Sequence, residues 1–73
     1  MIIKSDTVAV VSMVPYDPGT EVLEGDTVII IECMKVMIEI ATPVTGIIKK
    51  IFKEPGDMIE EGEPLVEIEE AAR

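Results

Sequence analysis

The chain has 73 residues, with no histidine, no tryptophan and a single cysteine, Cys33. Without histidine it lacks the commonest general base and the commonest metal ligand among side chains. One cysteine cannot build a zinc site, and a catalytic cysteine needs a base beside it. The sequence also contains no D-x-D-x-D calcium loop and no glycine-rich phosphate loop. We therefore expect a non-catalytic domain rather than an enzyme.

Long apolar runs and basic residues are also scarce. No apolar run approaches the roughly 20 residues that span a bilayer, and Lys4, Ser5 and Asp6 interrupt the N-terminal apolar stretch, so it does not fit a signal peptide. The formal net charge is −9, which disfavours nucleic acid and anionic membranes and favours a monomer. A lone cysteine is typical of a reducing compartment. We expect a cytoplasmic, monomeric protein with no nucleic-acid or membrane partner.

What the chain does contain is aliphatic sequence. Hydrophobic residues make up 48% of it and aromatic residues only 3%. Isoleucine and valine dominate, and β-branched side chains favour strands over helices. A length of 73 residues allows one domain. We predict a single domain over residues 1–73 with its core at about residues 8–69.

An internal repeat organises this domain. The segments "PGTEVLEGDTVIIIE" at residues 18–32 and "PGDMIEEGEPLVEIE" at residues 55–69 align without a gap at a shift of 37 residues. Each copy carries a Pro-Gly turn, a short extended piece, a Glu-Gly turn and a final strand. The pattern predicts an all-β sandwich or flattened barrel of seven or eight short strands, in two halves related by an approximate two-fold axis. The longer predicted strands cover residues 8–14, 27–32, 36–41, 47–52 and 64–69.

The stretch "IECMKVMIEI", residues 31–40, is nearly a palindrome. It is too long to form one strand together with its flanks, so we predict a hairpin whose turn lies within residues 33–36. Symmetry centres the turn between Lys35 and Val36, and a two-residue loop of Met34 and Lys35 is the other arrangement that the sequence allows. Such turns normally require glycine, asparagine or aspartate. Backbone strain collects at functional sites, so Lys35 is the candidate functional residue.

The stretch at residues 32–69 resembles the biotinyl domains of biotin-dependent carboxylases, within the biotinyl/lipoyl attachment family, and the resemblance extends over nearly the whole chain, from about Val8 to Glu69. Those domains carry an E-A-M-K-M motif, where this chain has Glu32, Cys33, Met34, Lys35 and Val36. Cys33 replaces the usual alanine and Val36 the second methionine. The resemblance implies a flattened barrel-sandwich of two four-stranded antiparallel sheets with quasi-two-fold symmetry, and places the lysine at a hairpin tip.

The resemblance also implies a function. It describes a biotin carboxyl carrier protein or domain, with biotin attached covalently to Lys35 by a biotin protein ligase. The carrier would take carboxybiotin from a biotin carboxylase to a carboxyltransferase, and Met34 and Val36 would flank the recognised lysine. The alternative is a lipoyl carrier domain of a 2-oxoacid dehydrogenase-type complex, with lipoate on the same lysine. Its usual motif is D-K-A, so Met34 favours biotin. A third alternative is an interaction module with unmodified Lys35.

Overall fold

A computed structural model describes residues 1–71, which contain eight β-strands and no helix. Proline-glycine and glutamate-glycine turns separate strands of alternating or continuous aliphatic residues, as the composition predicts. The strands are β1 (Ile2–Lys4), β2 (Ala9–Met13), β3 (Glu21–Val22), β4 (Thr27–Cys33), β5 (Val36–Ala41), β6 (Gly46–Ile51), β7 (Met58–Ile59) and β8 (Pro64–Glu70).

The strands form two four-stranded sheets in which every neighbouring pair is antiparallel. One sheet has the order β1-β8-β6-β3 and the other the order β5-β4-β2-β7. The prediction of an all-β sandwich with two four-stranded sheets is therefore confirmed. Strand β1 lies ahead of residue 8, where we predicted the core to begin, and it pairs with β8 at the edge of its sheet.

The two halves repeat each other at the 37-residue shift seen in the sequence. Strands β2, β3 and β4 recur as β6, β7 and β8, and both sheet orders interchange under this exchange. Each half has one irregularity in its central ladder, between Val11 and Met13 in the first half and between Ile48 and Lys50 in the second. The repeat is therefore a quasi-two-fold symmetry of the folded domain.

The core between the sheets is aliphatic and follows the same symmetry. Ten of its eleven buried residues, all but Ala9, form equivalent pairs at the 37-residue spacing and are nearly inaccessible to solvent: Val11 and Ile48, Val22 and Ile59, Val28 and Leu65, Ile29 and Val66, Ile31 and Ile68. Burying a side chain of this size stabilises the fold by about 1.5–3 kcal/mol relative to leaving it exposed. A small domain thus obtains a closed core from two copies of one short motif.

Candidate functional site

Strands β4 and β5 form a hairpin whose register fixes the position of Lys35. Cys33 pairs with Val36, so Met34 and Lys35 are the two residues of the turn. The two-residue loop allowed by the sequence is confirmed, and the turn centred between Lys35 and Val36 is wrong. Ile31 faces Ile38 rather than Ile40, its palindromic partner. The two registers differ by two residues, which leaves every side chain on the same face, so the apolar pattern cannot choose between them.

The backbone of this turn is strained. Met34 has φ = 51° and Lys35 has φ = 66°, and no other non-glycine residue in the described part of the chain has positive φ. Positive φ at both central residues is the geometry of a type I′ hairpin turn, which normally carries Asn-Gly. A side chain in this region costs about 1–2 kcal/mol per residue. The fold therefore holds two conformationally unfavourable residues at its tip, as expected of a two-residue turn without glycine or asparagine.

The side chains at the turn are open to solvent. Met34 is 92% exposed and Val36 is 61% exposed, and Lys35 is exposed as well. Across residues 1–71 the ion pair within 4.0 Å joins Lys53 to Glu63, so Lys35 takes part in none. The three predicted site residues thus lie together at the turn, and Lys35 is open to solvent there.

The Lys35 turn lies apart from the groove of the domain, which belongs to the other sheet. A groove of about 610 Å³ runs along β3, β6 and the end of β8, and no residue of the tip lines it. The candidate site is thus a projecting tip and not a pocket.

Cys33, where the motif departs from alanine, precedes the turn and does not join the exposed group. Its side chain is half-buried against the core, and its Sγ lies 4.0 Å from Oγ1 of Thr7. Among the described residues no group of histidine, cysteine, aspartate and glutamate could hold a metal ion. In the same part of the chain no helix is long and apolar enough to cross a membrane.

A small β-sandwich of two four-stranded sheets with an exposed hairpin turn is the architecture of a class of carrier domains, which are not themselves catalytic. The family described as "Biotin-requiring enzyme" matches residues 1–68. The chain belongs to this family of biotin/lipoyl attachment domains.

The relatives include both biotin and lipoyl proteins. The chain is 35% identical over 68 residues to the human mitochondrial propionyl-CoA carboxylase alpha chain, covering 93% of this chain but only 9% of that protein. It is 30% identical to the biotinylated protein TB7.3 homolog of Mycobacterium leprae, covering 90% of this chain and 93% of that protein. The lipoyl domain of the Azotobacter vinelandii 2-oxoglutarate dehydrogenase complex superposes with a TM-score of 0.85 at 27% identity, covering 97% and 98% of the two chains.

Proposed function

We propose that the chain is a biotin carrier of a biotin-dependent carboxylase, with biotin attached to Lys35. The observation that carries the proposal is the exposed type I′ turn in which Met34 precedes Lys35, since methionine occupies this place in biotinyl domains. Biotin bound there supplies a carrier for an activated carboxyl group. The domain contributes the tether and the enzyme partners contribute the catalytic groups.

The hairpin suits this role because it holds the lysine on a rigid element. A group attached to Lys35 extends from the tip of two paired strands, which positions it more firmly than a loop does. Tethering raises the effective concentration of the attached group at each site that the tip can reach. We propose that these sites belong to a biotin carboxylase and a carboxyltransferase, that the chain acts as one monomeric carrier unit, and that it works in the cytoplasm.

Attachment requires a neutral amine and an activated carboxyl group. The deprotonated Nζ of Lys35 would attack the carboxyl carbon of biotin, which a biotin protein ligase has activated with ATP. A carbon–nitrogen bond forms, the activating group leaves, and the amine gives its remaining extra proton to solvent. Met34 and Val36 lie on either side of Lys35 along the chain and offer apolar contacts to the ligase, with Met34 the more adaptable of the two.

The proposal is tested by intact-mass measurement after co-expression with a biotin protein ligase. The wild-type chain should gain one biotin, and Lys35→Arg should gain none, because the guanidinium keeps the charge but does not form the amide. Lys49→Arg is the matched control, since Lys49 is also exposed and should leave labelling intact. Biotin on the Lys35→Arg chain would refute the assignment of the site.

The second candidate is a lipoyl carrier, favoured by the superposition on a lipoyl domain and by Val36 in place of the second methionine. The same mass measurement separates the two functions. When the chain is expressed with both biotin and lipoate ligases present, we expect the mass increment of biotin. The increment of lipoate on Lys35 would assign the chain to a 2-oxoacid dehydrogenase-type complex instead.

A further inference from the structure

The strand register places a row of side chains across the outer surface of the sheet that carries Lys35. Met58 on β7 pairs with Val10 on β2, Val10 pairs with Glu32 on β4, and Glu32 pairs with Met37 on β5. Directly paired residues of antiparallel strands share a face, and their neighbours Ala9, Ile31 and Ile59 point into the core. The row therefore crosses all four strands on the solvent side.

A second row lies beside the first and has the same character. Met13 on β2 pairs with Ile30 on β4, and Ile30 pairs with Glu39 on β5. We name the apolar members of the two rows the methionine face: Val10, Met13, Ile30, Met37 and Met58. Two carboxylates, those of Glu32 and Glu39, lie among them.

The other sheet provides an internal reference for this surface. At the 37-residue shift Met58 corresponds to Glu21, Met13 to Lys50, and Ile30 to Glu67. These counterparts lie on the outer rows of their own sheet, where Glu21 pairs with Ile47 and Lys50 pairs with Glu67. These three positions thus carry charge in one sheet and methionine or isoleucine in the other. Strand structure alone does not require the apolar residues.

The methionine face is open to solvent. Met58 is 72% exposed, Met37 is 53% exposed and Met13 is 52% exposed. Exposed apolar side chains clustered in this way are typical of an interaction site, and methionine adapts its shape to different partner surfaces. The face also adjoins the functional tip, because the pair of Glu32 and Met37 is followed directly by the pair of Cys33 and Val36 that closes the turn.

A second copy of this chain is a poor occupant. The three spacings of about 4.8 Å between the four strands, over a length of about five residues, give a face of roughly 250 Å², far below the roughly 800 Å² per partner of a stable complex. Two copies would also bring together chains of net charge −9, with Glu32 and Glu39 inside the interface. The area of the methionine face fits a transient enzyme–substrate complex. Its carboxylates complement a partner surface that has lysine or arginine around an apolar centre.

We infer that the methionine face is the surface on which the biotin protein ligase docks, an inference that rests on the proposed function. The length of the Lys35 side chain distinguishes the ligase from the biotin carboxylase and the carboxyltransferase, which act after biotin has been attached. Lys35 alone has only its four-carbon stem, so an enzyme that acts on the bare amine must bring its own surface against the hairpin. Enzymes that act on the loaded lysine gain the length of the attached biotin. The ligase is thus the partner whose body must cover the strands beside the turn.

Exchanging residues with their symmetry counterparts tests the inference. The double variant Met13→Lys/Met58→Glu gives the methionine face the residues found at the same positions in the other sheet, and it leaves the net charge unchanged. With a purified biotin protein ligase, we expect kcat/KM for biotinylation of this variant to fall about tenfold or more, mainly through a higher KM. The matched control is Glu21→Met/Lys50→Met on the other sheet, which is also charge-neutral and should label at the wild-type rate. Urea unfolding of both variants verifies that each is folded.

The outcomes separate the two proposals. A wild-type chain that accepts no biotin defeats the proposed function, and the docking inference falls with it. A wild-type chain that labels normally, together with equal kcat/KM for both double variants, overturns the inference alone. If Met13→Lys/Met58→Glu instead abolishes a dimer seen in sedimentation of the wild type and leaves kcat/KM unchanged, the face binds a second copy.

Binding of the ligase to the methionine face can also be measured directly, in a variant that cannot accept biotin. The Lys35→Arg chain labelled with ¹⁵N is titrated with the ligase, and its amide signals are followed by NMR. We expect shifts or broadening at the tip and at Val10, Met37 and Met58, with Ile47 and Lys50 unaffected. Changes confined to residues 33–36 would show that the ligase contacts the tip alone and would overturn the inference.

Discussion

The hydroxyl groups of Ser5 and Thr42 make the same two hydrogen bonds in the two halves of the domain. The Ser5 hydroxyl donates to the Thr7 carbonyl at 2.6 Å and accepts from the Thr7 amide at 3.3 Å. Thr42 does the same with the Val44 carbonyl at 2.7 Å and the Val44 amide at 3.3 Å. Both residues are buried, so the quasi-two-fold symmetry extends from the aliphatic core to its polar positions.

Thr42→Val should destabilise the domain by about 1–3 kcal/mol. Valine has nearly the same shape but leaves the amide and carbonyl of Val44 without their partner, and an unsatisfied buried group costs about this much. The change is measured as a lower midpoint of urea unfolding. Thr42→Ser is the control, because serine serves the same role at residue 5, and we expect a much smaller effect. Equal midpoints for Thr42→Val and the wild type would show that the hydrogen bonds contribute nothing.

Replacing the strained turn should stabilise the domain at the expense of function. Met34→Asn/Lys35→Gly installs the sequence that a type I′ turn prefers and relieves positive φ at two side chains. We expect the free energy of unfolding to rise by about 1 kcal/mol or more, while biotin labelling is lost. Met34→Gly keeps Lys35 and should show part of the gain. A variant no more stable than the wild type would mean that the turn stores no strain.

The 37-residue repeat predicted most of the strands, because the apolar residues that it repeats are the ones that form the core. The predicted strands at residues 27–32, 36–41 and 64–69 differ from β4, β5 and β8 by at most one residue at an end. Strand β1 was not predicted separately, since three residues ending in Lys4 are too few to show a period. The register at Lys35 was not decided either, because a shift of two residues preserves every face.

The methionine face also lay beyond what the sequence could show. Met13, Met37 and Met58 are far apart in the chain, and only the pairing of β2 with both β4 and β7 brings them to one surface. The repeat did contain a signal, because Met13 and Met58 align with Lys50 and Glu21. A difference between equivalent positions of the two halves has meaning only once the equivalent surfaces are known to face solvent.

Gly46→Ala should destabilise the sheet that contains β6 and β8. A Cβ atom at Gly46 would overlap the backbone carbonyl of Glu69, so one of the two strands would have to move. Overpacking of this kind costs about 1–3 kcal/mol. We expect a lower urea midpoint and faster hydrogen exchange in the β6–β8 ladder.

The first half of the chain carries a side chain at the position equivalent to Gly46. Ala9 is the equivalent of Gly46 and already carries a Cβ atom at 5% exposure, so the other sheet accommodates a methyl group there. Gly25→Ala is the control, because a Cβ at Gly25 meets no atom within 4 Å. That variant should lose stability through positive φ alone and leave exchange in the β6–β8 ladder unchanged. Unchanged stability and exchange in Gly46→Ala would show that the strands separate at no cost.

The carboxyl group of Glu63 should titrate at a lower pH than an ordinary glutamate. Its carboxylate accepts the Glu60 amide at 2.5 Å and Lys53 Nζ at 3.0 Å, and these bonds, the backbone one first, lower the pKa of Glu63 from its usual 4.5. A lowered pKa in the folded state means that the contribution to stability is complete above pH 4.5 and is lost as the pH falls through the folded pKa. The side chain is 34% exposed, so the effect on stability is weakened by solvent.

NMR titration of the Glu63 side chain should therefore give a midpoint below 4.5. In Lys53→Met the midpoint should rise but stay below 4.5, because the stronger influence, the Glu60 amide, remains. A return to 4.5 in that variant would assign the whole shift to Lys53 and contradict the role of the backbone.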